Sequence, residues 1–340
     1  MIKTRKLIVP AAGRSNRYGG EHKFLLRHPT GRLMLEVAIS SIGARNLESL
    51  DEVIVISRHE ILEDSGLASH NLEIELSDSL GVAVRVHLLD AETRSMVETI
   101  TRFVETEEQD AAFIVRDTDN FVSLGNENID TYPANFMTYA DLRKFPTISA
   151  ANKGFLQIDG FGQVIGVVEK QIVGPLVYVG MSGFESYSRF LYASRVLGES
   201  PSEHYITDII RTLISDGLVF GAKEAEDYLD WGTEQDWSRE ISAHRQFVCD
   251  FEGFLADCSP ATFQQLDRVV PTQALKDLSS RMRQNPRFGA VVFTSIFPPE
   301  SFPNLLTWLA KNGLDEQRIN LVNAPTGTPK TLLGHSKYWD

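Results

Sequence analysis

Leu7-Ile8-Val9-Pro10-Ala11-Ala12-Gly13-Arg14-Ser15-Asn16-Arg17-Tyr18-Gly19-Gly20-Glu21-His22-Lys23 is the stretch on which the reading of this chain turns. Leu7 to Pro10 is a short apolar run of the length and kind expected of a buried strand. Small residues follow it, and then two cations, Arg17 and Lys23. Small residues at a strand end let a ligand approach the backbone, whose N–H groups hold phosphate oxygens, while the cations add charge-assisted contacts. A surface turn with incidental basic residues would look the same, so the stretch alone outlines an anion cradle without proving one.

Working outward, β-type runs at 52–57, 82–88, 112–115 and 164–169 alternate with amphipathic segments. The apolar spacing of Met34 to Ile42 predicts the first crossover helix. This alternation gives the expected fold class: α/β, with a mostly parallel sheet covered by helices over roughly the first 230 residues. The periodicity weakens over 126–152, where Pro133 and Pro146 fall, and an excursion from the sheet is expected there. Asp159-Gly160 then predicts a hairpin turn between two antiparallel strands. A polar helical stretch near 238–246 leads into a new apolar run, Phe247-Val248-Cys249, so the domains expected are 1–244 and a smaller α/β domain, 245–340.

The composition agrees. At 340 residues the chain exceeds the usual reach of one core. Its 42% hydrophobic and 23% charged residues are those of a globular protein. Forty-six acidic against 33 basic residues give a net charge of −13, which repels nucleic acid. An anionic small molecule therefore needs a local site to overcome that field. Two cysteines, Cys249 and Cys258, are too few for a disulfide framework or a four-cysteine zinc site, so a reducing cytoplasm is expected. No window is apolar and long enough for a signal peptide or a membrane span.

Ala11-Ala12-Gly13-Arg14-Ser15-Asn16-Arg17 resembles the Ala-Ala-Gly-x-Gly-x-Arg signature of the sugar-phosphate and cytidylyl-type nucleotidyltransferases, with Ser15 at the second glycine. His22-Lys23 stands where that family has Pro-Lys. Further matches follow in the family's order: Ser95 to Thr99, Phe113 to Phe121, Gly166 to Lys170, Val179 to Phe184, Tyr205 to Ile210 and Leu229 to Asp236. The resemblance spans about residues 7–237 and implies a Rossmann-like, glycosyltransferase-A-like domain.

The resemblance also implies roles. Arg17 would meet the β- and γ-phosphates and Lys23 the α-phosphate, as the catalytic pair. Ala11, Ala12, Gly13, Ser15 and Glu98 would bind the nucleotide. Asp119 and Asp230 would hold Mg²⁺, with Asp117 assisting, and Glu169, Lys170 and Gly180 would contact the acceptor. Asn152-Lys153-Gly154-Phe155 resembles capsule-type members, in which Lys153 contacts an acceptor phosphate. Each has a plainer reading: Asp117 and Asp119 as turn carboxylates, Asp230-Trp231 as a capped turn, Lys153 and Glu169-Lys170 as exposed side chains.

In the second domain, Phe247 to Leu255 resembles the first motif of the haloacid-dehalogenase-type phosphatases, with Asp250 as the nucleophile and Glu252 where the acid/base aspartate belongs. Thr294 would be the second-motif phosphate ligand and Lys330 the third-motif lysine. The function expected is thus Mg²⁺-dependent transfer of a nucleotide from a nucleoside triphosphate to a phosphorylated small acceptor, for instance a surface-polysaccharide precursor. A binding protein without turnover and a C-terminal phosphatase are the alternatives. No nucleic-acid or membrane partner is expected, and a homo-oligomer is left open.

Overall fold

In the computed structural model, residues 5–13, 22–145, 148–198, 203–257, 266–284 and 288–324 are described. The chain opens with β1 (Arg5–Pro10), α1 (Met34–Ser40), α2 (Ala44–Glu48), β2 (Glu52–Arg58), α3 (His59–Asp64), α4 (Ser69–Leu80) and β3 (Val84–Leu89). Next come α5 (Met96–Val104), β4 (Ala112–Arg116), β5 (Asn120–Ser123), β6 (Phe136–Asp141), β7 (Gly154–Ile158), β8 (Gln163–Glu169) and β9 (Leu176–Phe184). Finally α6 (Tyr187–Leu197), α7 (Ile206–Ser215), β10 (Phe220–Glu224), β11 (Asp227–Asp230) and α8 (Glu234–Ala243) follow.

Nine strands form one sheet in the order β3-β2-β1-β4-β9-β6-β10-β8-β7. The first four are parallel, with Leu7 opposite Val53 on β2 and Ile114 on β4. β1 is buried on both sides: Leu7 and Val9 face one core, Ile8 the other, and all three are fully covered. Helices supply the covering layers because their apolar residues recur every three or four positions, as Ile206, Ile209, Ile210 and Leu213 do on α7.

The α/β class and the parallel half are as expected; the other half is mixed. β9 runs antiparallel to both β4 and β6, and β7–β8 is the Asp159-Gly160 hairpin, with Asp159 Oδ1 accepting the N–H groups of Phe161 and Gln163 at 2.9 Å each. The excursion expected over 126–152 contains a central strand, β6, between β9 and β10. Its first three residues are all buried, so the two-residue alternation that betrays a half-exposed strand is missing.

The chain divides into two compact units, Met1–Leu26 with Leu33–Asp236, and Arg27–Arg32 with Trp237–Asp340. The division falls inside α8, between Asp236 and Trp237, both of which belong to that helix. That unit contains β12 (Arg245–Asp250), β13 (Ala256–Asp257), β14 (Val270–Pro271), α9 (Gln273–Gln284), β15 (Phe288–Thr294), α10 (Phe302–Lys311) and β16 (Ile319–Asn323). β12-β15-β16 is a parallel sheet, and its core gathers Phe251, Leu275, Val292, Leu305 and Leu309. Among the described residues no helix is long and apolar enough to cross a membrane.

The seat of β6 beside β9 depends on Gly183, where an added Cβ would stand 2.3 Å from the Phe136 ring and 2.6 Å from the Ala134 carbonyl oxygen. Gly183→Ala should therefore cost about 1–3 kcal/mol by overpacking. Urea unfolding should show it as a lowered midpoint at unchanged slope; an unaltered midpoint would mean that β6 has room to move.

Candidate active site

The parallel strands deliver their ends to one cavity of about 830 Å³, lined wholly by residues of the first unit. Ala11, Ala12 and Gly13 form part of its wall. The Ala11 N–H donates to the Ile56 carbonyl at 2.7 Å, and Arg58 Nε to the Ala12 carbonyl at 3.1 Å, so this backbone is fixed from the β2 side. At Gly13 nothing lies within 4 Å of where a Cβ would be. Arg17 and Ser15 lie outside the described residues. Lys23 opens a short 3₁₀ turn and pairs through Nζ with Asp119 Oδ2.

Asp117 and Asp119 follow β4, and Arg116 holds them there. Its side chain is fully buried. It donates to the carbonyls of Asn120 at 2.8 Å and Ala38 at 3.1 Å, to Ser41 Oγ at 3.2 Å, and to Asn120 Oδ1. A further bond to its neighbour's carbonyl, Asp117 O, is 3.1 Å long. One guanidinium thus ties β4, the start of β5 and the end of α1. Asp117 N–H donates to the Gly180 carbonyl at 2.8 Å. Gly180 has φ +82° and no room for a side chain, since a Cβ would come within 2.3 Å of Asp117 Oδ2.

Asp230 reaches the same place through β11, which pairs antiparallel with β5 so that Asp230 lies opposite Asn120. The Trp231 N–H closes the junction on the Asp119 carbonyl at 2.9 Å. The two carboxylates converge beside Gly232: its Cβ position is 3.2 Å from Asp230 Oδ1 and 3.6 Å from Asp119 Oδ2. Lys153, from the turn before β7, meets Asp230 Oδ2 at 2.7 Å and donates to Tyr228 Oη at 2.9 Å. Each aspartate therefore faces its own lysine.

Burial, and then the Asp119 charge, push the Asp117 carboxyl above the usual carboxylate range. Burial works against Asp119 as well, but the Lys23 ammonium, together with Lys153 and Arg116, outweighs it and holds that carboxyl low. Burial likewise disfavours the Lys153 ammonium, yet Tyr228 and Asp230 reverse the balance and raise it. Asp117 Oδ1 is buried without a hydrogen-bond partner. The converging Asp119 and Asp230 carboxylate oxygens are donors of the kind a small hard cation such as Mg²⁺ takes.

Glu169 and Lys170 also line the cavity. Thr207 Oγ1 donates to Glu169 Oε2 at 3.1 Å, and Gly154 leaves room for that carboxylate, since a Cβ there would stand 2.5 Å from Oε2. Burial raises the Glu169 carboxyl. Lys170, at φ +55°, sets its Nζ over the Tyr205 ring, 4.6 Å from the centroid. Glu98 is placed elsewhere than expected. Its N–H is capped by Ser95 Oγ at 3.1 Å, and its carboxylate accepts from the Arg94 N–H at 2.8 Å and from Arg102 at 2.7 Å. It is an end-of-helix group of α5 and does not line the cavity, whereas its neighbours Ser95 and Met96 do.

Sequence reasoning gave no role to Arg116 or Tyr228. An arginine directly after Phe113-Ile114-Val115 was the available signal, because a charge in a buried strand must have internal acceptors.

In the second unit, Asp250 and Thr294 end neighbouring parallel strands, with Asp250 opposite Phe293. Thr294 Oγ1 donates to Glu252 Oε1, as does the Ile296 N–H at 3.2 Å, and the Ser295 N–H meets Oε2 at 3.4 Å. The hydroxyl and N–H groups that would receive a phosphate thus already hold the Glu252 carboxylate. Lys330 lies outside the described residues.

No protein-family model matches the chain, and no curated protein matches it in sequence. Solved structures do match in fold. A nucleoside-diphosphate-sugar pyrophosphorylase from Vibrio cholerae superposes with a TM-score of 0.59 at 19% identity, covering 69% of this chain and 99% of that one. The inositol-1-phosphate CTP transferase of T. maritima gives 0.53 at 11% identity over 70% and 95%. A putative glucose-1-phosphate thymidylyltransferase from Bacillus anthracis gives 0.52 at 19% over 70% and 94%. The fold is that of the nucleotidyltransferases, Rossmann-like.

Removing the buried guanidinium should loosen both aspartates. Arg116→Met is expected to cost about 3–5 kcal/mol, the usual loss when a buried charge network loses one partner. A change in unfolding free energy below 1 kcal/mol, on the order of a surface substitution, would contradict the positioning role.

Proposed function

We propose that the chain is a nucleotidyltransferase that joins a nucleoside triphosphate to a phosphorylated small acceptor, a sugar 1-phosphate or a similar phosphate, and releases pyrophosphate. One observation carries the reading. Asp119 and Asp230, more than a hundred residues apart in the chain, converge in one cavity, each facing a lysine.

In the transfer, an acceptor phosphate oxygen bonds to the α-phosphorus while the bond from that phosphorus to the bridging oxygen breaks. The electron pair leaves with pyrophosphate. Two anions must meet, so charge neutralisation and alignment dominate the barrier, and no covalent nucleophile is required. Lys23 suits the α-phosphate, where charge builds as the bond changes; Lys153 suits the acceptor phosphate. Mg²⁺ held by Asp119 and Asp230, with Asp117 beside them, would neutralise phosphate oxygens. Lys170 and Glu169, on the same cavity wall, would receive the rest of the acceptor, its hydroxyl-bearing part. The phosphatase alternative has less support, because Glu252 competes for the Thr294 cradle.

A thermal-shift panel of CTP, UTP, GTP, ATP and dTTP, with and without Mg²⁺, should single out one nucleotide, since ligand binding raises the melting point by mass action. Pyrophosphate release with that nucleotide is then measured across sugar 1-phosphates and inositol 1-phosphate. Asp119→Asn and Asp230→Asn should each lower turnover at least about 100-fold. Lys23→Ala should lower kcat more than nucleotide affinity, because its partner's charge changes most in the transition state. A saturable nucleotide shift without pyrophosphate release on any acceptor would instead identify a binding protein. No shift with any nucleotide would end the cradle reading.

A further inference from the structure

Within the second unit, two sequence-distant segments bring together side chains that the transferase reading does not use. His28 comes from the 27–32 segment and Glu240 from α8, and His244 follows the end of α8. The His244 N–H still closes a helical turn on the Glu240 carbonyl at 3.1 Å, so Glu240 and His244 share one helix face. All three side chains are buried, at 4%, 5% and 9% exposure. His28 Nε2 lies 3.8 Å from Glu240 Oε1, and His244 Nδ1 lies 3.1 Å from the same oxygen. The imidazoles meet edge to face at a centroid distance of 4.5 Å.

We propose that His28, Glu240 and His244 form a binding site for one divalent transition-metal ion, zinc by preference. One donor atom from each residue lies within 4.8 Å of the others. Tetrahedral zinc, bonded to nitrogen and oxygen at about 2.0–2.2 Å, separates its ligand atoms by roughly 3.3–3.5 Å, so small side-chain rotations close the set. Two imidazoles and one carboxylate are a zinc donor set, with a fourth position for water. Magnesium and calcium, which take oxygen ligands, are disfavoured. The nearby Arg32 guanidinium opposes a further positive charge, which again favours an ion that gains from bonding to nitrogen over one held by charge alone.

The surroundings are those of a ligating histidine. His28 Nδ1 lies 2.8 Å from Thr30 Oγ1. Nδ1 here accepts the Thr30 N–H at 3.3 Å; a metal on Nε2 would move the ring proton to Nδ1, which would then donate to the Thr30 hydroxyl, the outer partner that fixes ring orientation. The Trp237 ring packs against His28, centroids 5.8 Å apart. The bound ion would pin the 27–32 segment to the end of α8.

The full-length protein, stripped with a chelator and dialysed, is offered Zn²⁺, with Mg²⁺ in a parallel sample, and bound metal is measured after excess ion is removed. One zinc per chain and no retained magnesium are expected. His28→Asn and His244→Gln should weaken zinc by at least about 100-fold, and Thr30→Val by about 10–100-fold, as outer-partner losses do. Asp119→Asn should bind zinc as the parent does, which separates this site from the transferase carboxylates. Co²⁺ serves as the optical probe: visible d–d absorption from a nitrogen-containing site should appear in the parent and be absent in His244→Gln. Circular dichroism of the stripped variants checks their folding; if the histidine variants do not fold, the parent and Thr30→Val decide. No zinc retained by the parent, or equal affinity in every folded variant, would overturn the proposal.

Discussion

A guanidinium closed off from water has to find its hydrogen-bond acceptors inside the protein, and the acceptors that Arg116 finds determine where the chemistry stands. They belong to α1, to the β4–β5 turn and to β5. Asp117 and Asp119 lie in that turn, and β5 pairs with β11, which brings Asp230. Without an internal cation, the same turn would place carboxylates beside buried strands with only Lys23 and Lys153 to balance them. The organisation therefore runs outward from a positive charge in the core to negative charges at the cavity wall, and from there to two lysines.

That chain of dependence explains what could be read beforehand. β1, β2 and β4 were legible because buried parallel strands are short continuous apolar runs, and Lys23, Asp119 and Asp230 because their segments recur in a recognisable order. β6 was hidden: its apolar start gives no alternation, and Pro133 and the polar residues around it resemble a loop. Glu98 misled for a different reason. A glutamate three positions after a serine reads equally as a ligand contact or as helix capping, and here the Arg94 N–H and the Arg102 guanidinium take its carboxylate. Arg17 and Ser15 lie outside the described residues.

Nor could the sequence show that residues 27–32 belong with the second unit, since nothing in six residues marks them as distant from their neighbours. The spatial cluster of His28 with Glu240 and His244 was invisible for the same reason: it joins positions more than two hundred residues apart.

This interleaving has a consequence for how the molecule comes into being. Because a strip near the beginning of the chain completes a body made near its end, no single cleavage frees the second unit intact. A ribosome that has released the first 236 residues has made a nearly complete nucleotidyltransferase fold with one segment still waiting for its partners. Gly31 illustrates the wait, for a Cβ built there would stand 3.0 Å from the amide nitrogen of Asn320, among the last described residues to emerge. Completion of the second unit thus draws on a segment made with the first, whatever chemistry the second performs.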